Sequence, residues 1–302
     1  MRKIRIFLTI AQGLALAGLL ACAGQKPAPP PAQSMREVPP RIGVALSGGG
    51  ARGFAEVGVL RVLEQEKIPI QAVAGTSVGS LIGALYADTG NALDLEFAAV
   101  AVRQEDFFDF AVLSLLDGGL VKGEKLEAFL EGHLKHKTLE TLMVPFAAVA
   151  VDLRTGEQVV FERGSVARAI HASAAIPGVF VPVEIGGRTF VDGGVLNPVP
   201  ADVVRRMGAD LVIAVSVPPQ VPAAAPKSPV DVALQSVTLM TAEIGRLRAR
   251  EADVVIQPDI GPVRYDDFSQ KRKLMEAGAA AARNALPAIR AAIAAKTKRV
   301  PV

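Results

Sequence analysis

The sequence predicts an α/β domain with a mostly parallel central sheet over residues 41–302 of the 302-residue chain. Two observations carry this prediction. Short apolar segments of strand length alternate with segments whose apolar residues recur at helical spacing. Two of the apolar segments end in glycine-rich turns that lead directly into helices, which is the βαβα order of a parallel sheet. Half of the residues are apolar, a composition that excludes a disordered chain.

The domain opens with two strand–turn–helix units. Residues 41–47 form an apolar strand that ends in three glycines, and residues 53–67 form a helix that Pro69 stops. Residues 70–74 form a second apolar strand, which also ends in a glycine-rich turn, and residues 80–87 form the helix that follows. We expect the two strands to be parallel neighbours.

The rest of the domain continues both patterns. Apolar segments of strand length predict strands at 144–152, 158–161, 183–185, 189–191, 211–217 and 254–257. Apolar residues at helical spacing predict helices at 92–103, 123–135, 165–173, 200–207, 228–249 and 269–295. Pro287 falls inside the last helix and is expected to break or kink it.

The first 40 residues have the pattern of an export signal followed by a tether. Basic residues precede an apolar stretch at 6–21, which is too short for a membrane span and typical of a signal peptide. The stretch ends at Cys22, the only cysteine, in an arrangement that resembles the lipobox of bacterial lipoproteins. We expect residues 1–21 to be removed and Cys22 to be lipidated. Residues 22–40 hold six prolines and are expected to form an extended tether.

These features predict a location in the bacterial cell envelope. Two or three acyl chains on Cys22 would hold the protein stably on a membrane. Ala23, in place of an aspartate after the cysteine, points to the outer membrane within the lipoprotein pattern. An ordinary signal peptide and an uncleaved anchor are the alternatives.

Charge and metal-ligand content exclude several classes of function. Three of the 33 basic residues lie in the signal segment, which leaves 30 basic against 30 acidic residues. Nucleic-acid binders keep a basic excess, so we expect no nucleic-acid partner. One cysteine and three histidines leave few ligands for a transition metal, and we expect neither a metal nor a cofactor.

Residues 48–53, Gly-Gly-Gly-Ala-Arg-Gly, contain the G-x-G-x-x-G spacing of a dinucleotide-binding loop. That fold also needs an acidic residue at the end of the second strand to bind a ribose, and residues 72–75 contain none. Three consecutive glycines instead expose backbone N–H groups that can stabilise an oxyanion. Arg52 either steadies this loop or meets an anionic head group.

Residues 75–79, Gly-Thr-Ser-Val-Gly, match the G-x-S-x-G pattern of a serine nucleophile. The pattern requires a sharp strand-to-helix turn, in which a side chain at Gly75 or Gly79 would clash. The helix that begins after Ser77 adds N–H groups near the reacting centre. Because the two strands are expected to be parallel neighbours, the glycine loop should lie beside Ser77.

A serine nucleophile needs a base, and two candidates remain open from the residues alone. His171, with Asp152 as its acid, would make a Ser-His-Asp esterase. Asp192 ends an apolar strand and is followed by Gly193 and Gly194, which allow close approach of the backbone. A desolvated carboxylate in that position can act as the base.

The motifs at 48–53, 75–79 and 192–194, in this order, resemble the patatin-like phospholipase family, and most of all its bacterial and neuropathy-target-esterase branch. The resemblance extends through residues 172–180 and 194–200 and covers roughly residues 41–217. It implies a three-layer α/β/α sandwich. It also implies a Ser–Asp dyad without histidine, in which Ser77 is the nucleophile and Asp192 the general base.

The resemblance further implies an oxyanion hole and a substrate class. The hole would be formed by Gly48, Gly49, Gly50 and Ala51. The motif positions that support it are Arg52, Gly53, Gly75, Gly79, Gly193 and Gly194. The implied activity is hydrolysis of a phospholipid, a lysophospholipid or another carboxylic ester, without metal or calcium. A lipid-binding lipoprotein without catalysis is a further alternative. Glu56 departs from the pattern, because many bacterial relatives carry histidine there.

Overall fold

A computed structural model of the protein describes residues 34–107, 121–219 and 225–302. The predicted signal segment 1–21 and Cys22 lie outside the described residues. Residues 38–298 form one compact unit, and the described termini form a second, small one. In the small unit, strand β1 (Met35–Val38) pairs with strand β10 (Lys298–Pro301).

The sequence did not predict these two terminal strands. β1 falls within residues 22–40, which were expected to form the tether. Its side chains are largely exposed, as are those of β10. A short strand that buries no apolar face leaves no apolar alternation in the sequence by which to find it.

The large unit is built on an eight-stranded sheet. Its strands are β2 (Ile42–Leu46), β3 (Ala72–Thr76), β4 (Phe146–Asp152), β5 (Gln158–Phe161), β6 (Val183–Ile185), β7 (Arg188–Asp192), β8 (Leu211–Val215) and β9 (Val254–Ile256). The helices are α1 (Phe54–Gln65), α2 (Val78–Thr89), α3 (Ala92–Ala101), α4 (Gln104–Phe107), α5 (Glu124–His133), α6 (Val166–Ser173), α7 (Ala201–Arg206), α8 (Pro229–Ala249) and α9 (Lys271–Lys296).

The sheet is mostly parallel, as predicted. β4, β3, β2, β8 and β9 lie side by side in this order, and each neighbouring pair is parallel. β5 and β7 pair with β4 in the antiparallel direction, and β6 pairs antiparallel with β7. The central parallel strands are buried on both faces, which explains why they are continuous apolar runs in the sequence rather than alternating ones.

Two apolar clusters lie on the two faces of the sheet and make a three-layer sandwich. Val44 and Leu46 of β2 belong to the larger cluster, which includes buried residues of α1, α2 and α9. Ala45 belongs to the smaller cluster, which includes Val203 and Val204 of α7. On that face the central strands present alanine, so that α7 can approach closely.

Two elements, β3 and α9, differ from the prediction in ways that packing explains, while several other ends shift by one or two residues. β3 begins at Ala72 and continues to Thr76, because its residues pair in register with β2 on one side and β4 on the other. Pro287 was expected to break or kink the last helix; α9 runs through it, so the break is wrong. Ala282 before the proline and Ile289 after it are both fully buried, and this packing holds the two halves of the helix together. Within the described ranges, no helix combines the length and the apolar composition of a membrane span.

Candidate active site

Ser77 lies between β3 and α2 in a strained backbone conformation. Its φ of 56° and ψ of −127° are rare for a residue with a side chain. The Ser77 N–H donates to Ser173 Oγ at 3.0 Å, and Ser173 Oγ donates to the Val149 carbonyl at 2.6 Å. These bonds hold the turn in place, and the geometry is that of a nucleophile elbow.

The glycines around Ser77 are required by close backbone contacts. A Cβ on Gly75 would lie 2.2 Å from the Gly79 carbonyl oxygen, and a Cβ on Gly79 would lie 2.5 Å from that of Leu46. A Cβ on Gly53 would lie 2.5 Å from a methyl group of Val78. The clash predicted for positions 75 and 79 is therefore present, and it packs the start of α2 against the end of β2.

The sheet topology brings Asp192 beside Ser77. Thr76, the last residue of β3, is opposite Val149 of β4. Asp192, the last residue of β7, is opposite Ala150, the next residue of β4, because β7 runs antiparallel to it. Both side chains therefore lie next to the same part of β4, and the Ser77 hydroxyl is close enough to the Asp192 carboxylate to lower its pKa through hydrogen bonding.

The two glycines after Asp192 allow the chain to turn at this point. A Cβ on Gly193 would lie 2.2 Å from the Val149 carbonyl oxygen. The N–H of Gly194 donates to Asp192 Oδ1 at 2.7 Å, and a Cβ on Gly194 would lie 3.0 Å from that oxygen. The turn thus supplies a hydrogen bond that orients the carboxylate.

Burial makes Asp192 a stronger base than an ordinary aspartate. The side chain is buried, and burial raises the pKa of Asp192 from 3.8 to about 6. Hydrogen bonds from the Ser77 hydroxyl and the Gly194 N–H oppose this rise in pKa. A carboxylate with a pKa of about 6 is ionised at neutral pH and accepts a proton more readily than an exposed one.

The structure places the glycine loop beside Ser77 but corrects the set of oxyanion donors. A Cβ on Gly48 would lie 3.3 Å from Ser77 Cβ. However, the Gly48 N–H already donates to the Pro198 carbonyl at 3.0 Å. The Ala51 N–H likewise donates to the Tyr265 carbonyl, at 2.6 Å. Each amide has one proton, so these two predicted donors are already occupied.

Three backbone N–H groups around Ser77 remain available. No acceptor among the described residues bonds the N–H of Gly49, Gly50 or Val78. Val78 is the first residue of α2, and the N–H groups of a first helical turn have no partner within the helix. The sequence prediction did not name Val78, although its place after Ser77 in the G-x-S-x-G motif was a usable signal.

Arg52 steadies the glycine loop from within the protein. Its Nε donates to the Gly49 carbonyl at 2.8 Å, and its Nη1 donates to the Pro218 carbonyl at 3.2 Å. The side chain is buried, and burial lowers the pKa of Arg52 to about 10. Arg52 was expected either to steady the loop or to meet an anionic head group, and these contacts match the first role.

The Ser-His-Asp arrangement suggested by the sequence is not formed. His171 Nδ1 lies 2.6 Å from Glu127 Oε1, and Asp152 accepts a hydrogen bond of 2.6 Å from Arg188 Nε. His171 and Asp152 are therefore paired elsewhere, while the Ser77 side chain lies beside Asp192.

Other residues at the site could not be found from sequence spacing. Ser173 orients the Ser77 amide, and its position within residues 172–180 was its only signal. Thr76 Oγ1 donates to the Asn197 carbonyl at 2.8 Å, which ties the end of β3 to the chain after Asp192. Across the three described ranges, no group of three or more His, Cys, Asp or Glu side chains could hold a metal ion.

Comparison with known proteins identifies the family. The sequence model of the patatin-like phospholipase family matches residues 44–205. An uncharacterised NTE family protein of Mycobacterium bovis is 38% identical over 192 residues, which are 63% of this chain and 52% of that protein. An uncharacterised NTE family protein of Mycobacterium tuberculosis is 30% identical over 279 residues, covering 82% of this chain and 46% of that protein.

A solved structure supports the fold. VipD from Legionella pneumophila superposes with a TM-score of 0.52 at 16% identity, over 93% of this chain and 74% of that one. The chain spans about half the length of the curated NTE family relatives it matches. The family match covers more than half of the chain and includes both motif turns and Asp192. The chain therefore belongs to the patatin-like phospholipase family.

Proposed function

We propose that the protein is a serine lipid acyl hydrolase that uses Ser77 and Asp192 as a catalytic dyad. The observation that carries the proposal is the position of the Ser77 hydroxyl, on its strained turn, beside the buried Asp192 carboxylate, whose pKa it lowers. This pair supplies a nucleophile and a base in contact, which acyl transfer requires. Membership of the patatin-like phospholipase family supports an ester of a lipid as the substrate.

The proposed reaction has two halves. Ser77 Oγ attacks the ester carbonyl while Asp192 takes the hydroxyl proton, and the N–H groups of Gly49, Gly50 and Val78 stabilise the oxyanion. The intermediate collapses to an acyl-Ser77 ester, and the leaving alcohol takes the proton from Asp192. A water molecule then gives a proton to Asp192 and attacks the acyl group. Asp192 passes this proton to Ser77 Oγ as the bond to the acyl group breaks, which releases the fatty acid and restores the dyad.

A lipid as substrate is also supported by the surface near the site. Residues 232–242 of α8 contain no charged side chain. Leu239 and Met240 are 50% and 56% exposed there, although both are large and apolar. Thr241 of the same helix lies beside the turn after Asp192, 3.9 Å from the position of a Cβ on Gly194. An uncharged apolar surface at the edge of the site fits a phospholipid or lysophospholipid better than a water-soluble ester.

We also propose that the protein is anchored to a bacterial membrane, as the N-terminal pattern predicts. Signal residues 1–21 would be removed, and acyl chains on Cys22 with a tether over residues 22–40 would hold the domain, residues 41–302, at the outer membrane. Such tethering raises the effective concentration of the domain at its lipid substrate. Replacing Cys22 by Ala should move the protein out of the membrane fraction, and retention there would contradict the anchor.

The dyad is tested by labelling the full-length, detergent-solubilised protein with a fluorophosphonate and measuring intact mass. We expect one adduct on the wild type, none on Ser77→Ala and a large loss on Asp192→Asn. His171→Ala is the matched control and should label like the wild type. Folded wild type that takes no adduct but binds phospholipid vesicles would favour the lipid-binding lipoprotein instead.

A further inference from the structure

Glu56 is a buried carboxyl group next to the glycine loop. It lies in the first turn of α1, and its side chain is completely buried. Its Oε1 accepts a hydrogen bond of 2.8 Å from the Ser47 N–H and lies 3.4 Å from Ser47 Oγ. Its Oε2 is buried and has no hydrogen-bond partner in the part of the chain that the structure describes. Glu56 therefore holds the residue that immediately precedes Gly48.

Ser47 also connects Glu56 to the end of the neighbouring strand, β8. Its Oγ accepts a hydrogen bond of 2.9 Å from the N–H of Val217, just after β8. A Cβ on Gly49 would lie 2.7 Å from a methyl group of Val217, so the loop packs directly on the same residue. The Glu56–Ser47–Val217 chain thus fixes the base of the glycine loop between the ends of β2 and β8.

The surroundings of Glu56 favour an uncharged carboxylic acid. Among the described residues, no cation bonds to it, and the buried Arg52 gives its hydrogen bonds to the carbonyls of Gly49 and Pro218. A buried carboxylate without a counter-charge is costly. Burial raises the pKa of Glu56 well above its usual range, and the bonds from Ser47 only partly oppose this.

We propose that Glu56, as an uncharged acid, is a positioning residue that holds Ser47 and thereby sets the direction of the Gly49 and Gly50 N–H groups. The consequence for catalysis rests on the proposed function, whereas the effect on the loop does not. In the sequence, Glu56 stands out only as a departure from the family pattern. Its contacts now connect it to the oxyanion loop.

Two substitutions of similar size test the proposal. Glu56→Gln keeps a neutral side chain with an acceptor oxygen for Ser47, and Glu56→Met removes the acceptor. Loss of one oxyanion donor lowers kcat by about 10²–10³, so a misdirected loop in Glu56→Met should lower kcat by at least about tenfold. KM for a soluble ester should change by less than about threefold, because the loop acts mainly in the transition state. Glu56→Gln should keep kcat within about threefold of the wild type.

Hydrogen exchange of peptides covering residues 46–53 gives a readout that does not need activity. We expect faster exchange in Glu56→Met and wild-type exchange in Glu56→Gln. Ser47→Ala removes the link to Val217 and the 3.4 Å contact of Ser47 Oγ with Glu56 but keeps the bond from the Ser47 N–H to Glu56. It should also speed exchange and serves if Glu56→Met does not fold.

The outcomes separate the two proposals. Wild-type kcat and wild-type exchange in folded Glu56→Met would overturn the role of Glu56. A loss of kcat in Glu56→Gln as large as that in Glu56→Met would overturn the proposal that Glu56 is uncharged. An inactive wild type would defeat the proposed function, yet the exchange rates would still decide whether Glu56 holds the loop.

Discussion

Replacing Asp192 by Asn should stabilise the protein at neutral and alkaline pH while removing its activity. Asn keeps an oxygen that can accept the Gly194 N–H, which donates to Asp192 Oδ1 at 2.7 Å, and it carries no charge. The wild-type carboxylate must stay ionised while buried. The substitution therefore separates the cost of burying this charge from the packing of the site.

The expected size follows from the pKa. The pKa of Asp192 rises from 3.8 in an unfolded chain to about 6 in the folded protein, because the carboxyl is buried. Between these two values the folded state binds more protons than the unfolded state, so stability falls as pH rises through this window. Above the window the full cost is about 3 kcal/mol. Below pH 3.8 this contribution is absent.

The assay is urea unfolding of the wild type and Asp192→Asn at several pH values. The variant should exceed the wild type in free energy of unfolding by up to about 3 kcal/mol at about pH 8, and this difference should shrink by about that amount towards pH 4. Other titrating groups, Glu56 included, are present in both proteins, so their contributions to the pH dependence largely cancel in the difference between the two. A stability difference that does not depend on pH would refute the reasoning, because it would mean that Asp192 has an ordinary pKa.

Three further predictions concern the site and its surroundings. kcat/KM should rise with pH with a midpoint of about 6, because Asp192 must lose its proton to act as the base, and a flat profile from about pH 5 to 8 would contradict this role. Gly75→Ala should abolish fluorophosphonate labelling and destabilise the protein by about 1–3 kcal/mol or more, since its Cβ would lie 2.2 Å from a carbonyl oxygen. Gly132→Ala is the control, because a Cβ on Gly132 would have no atom of the described residues within 4 Å. It should change neither the stability measured by urea unfolding nor the labelling. Met240→Glu should slow hydrolysis of phospholipid vesicles severalfold and leave hydrolysis of a short soluble ester unchanged. Met143→Glu, a comparably exposed control before the amino end of β4, should leave both rates unchanged.

Much of the fold could be predicted because both faces of the sheet are covered. Strands buried on both faces become continuous apolar runs, and the helices that cover them keep apolar residues at helical spacing. β5 and β6 were placed at the bounds that the structure has. The break that a local rule allowed at Pro287 does not occur, since that rule cannot see that Ile289 is buried on the far side of the proline.

Some residues of the candidate site could be predicted from local sequence, whereas others depend on contacts between distant segments. Ser77, its flanking glycines and Asp192 could be named from sequence because each motif is a local requirement of the backbone, such as the contact between Gly75 and Gly79. The residues alone could not decide between His171 and Asp192 as the base, because that depends on which elements are neighbours in the fold. Only the family resemblance favoured Asp192.

The sequence by itself determined the parallel sheet, the two glycine turns and the residue types from which a nucleophile, a base and an oxyanion loop can be built. Only the tertiary structure decided how these are connected. β7 runs antiparallel to β4 and so brings Asp192 to Ser77. The carbonyls of Pro198 and Tyr265, distant in the chain, occupy two of the expected oxyanion donors. Each N–H has a single proton, and which carbonyl reaches it is set by packing between segments far apart in the sequence.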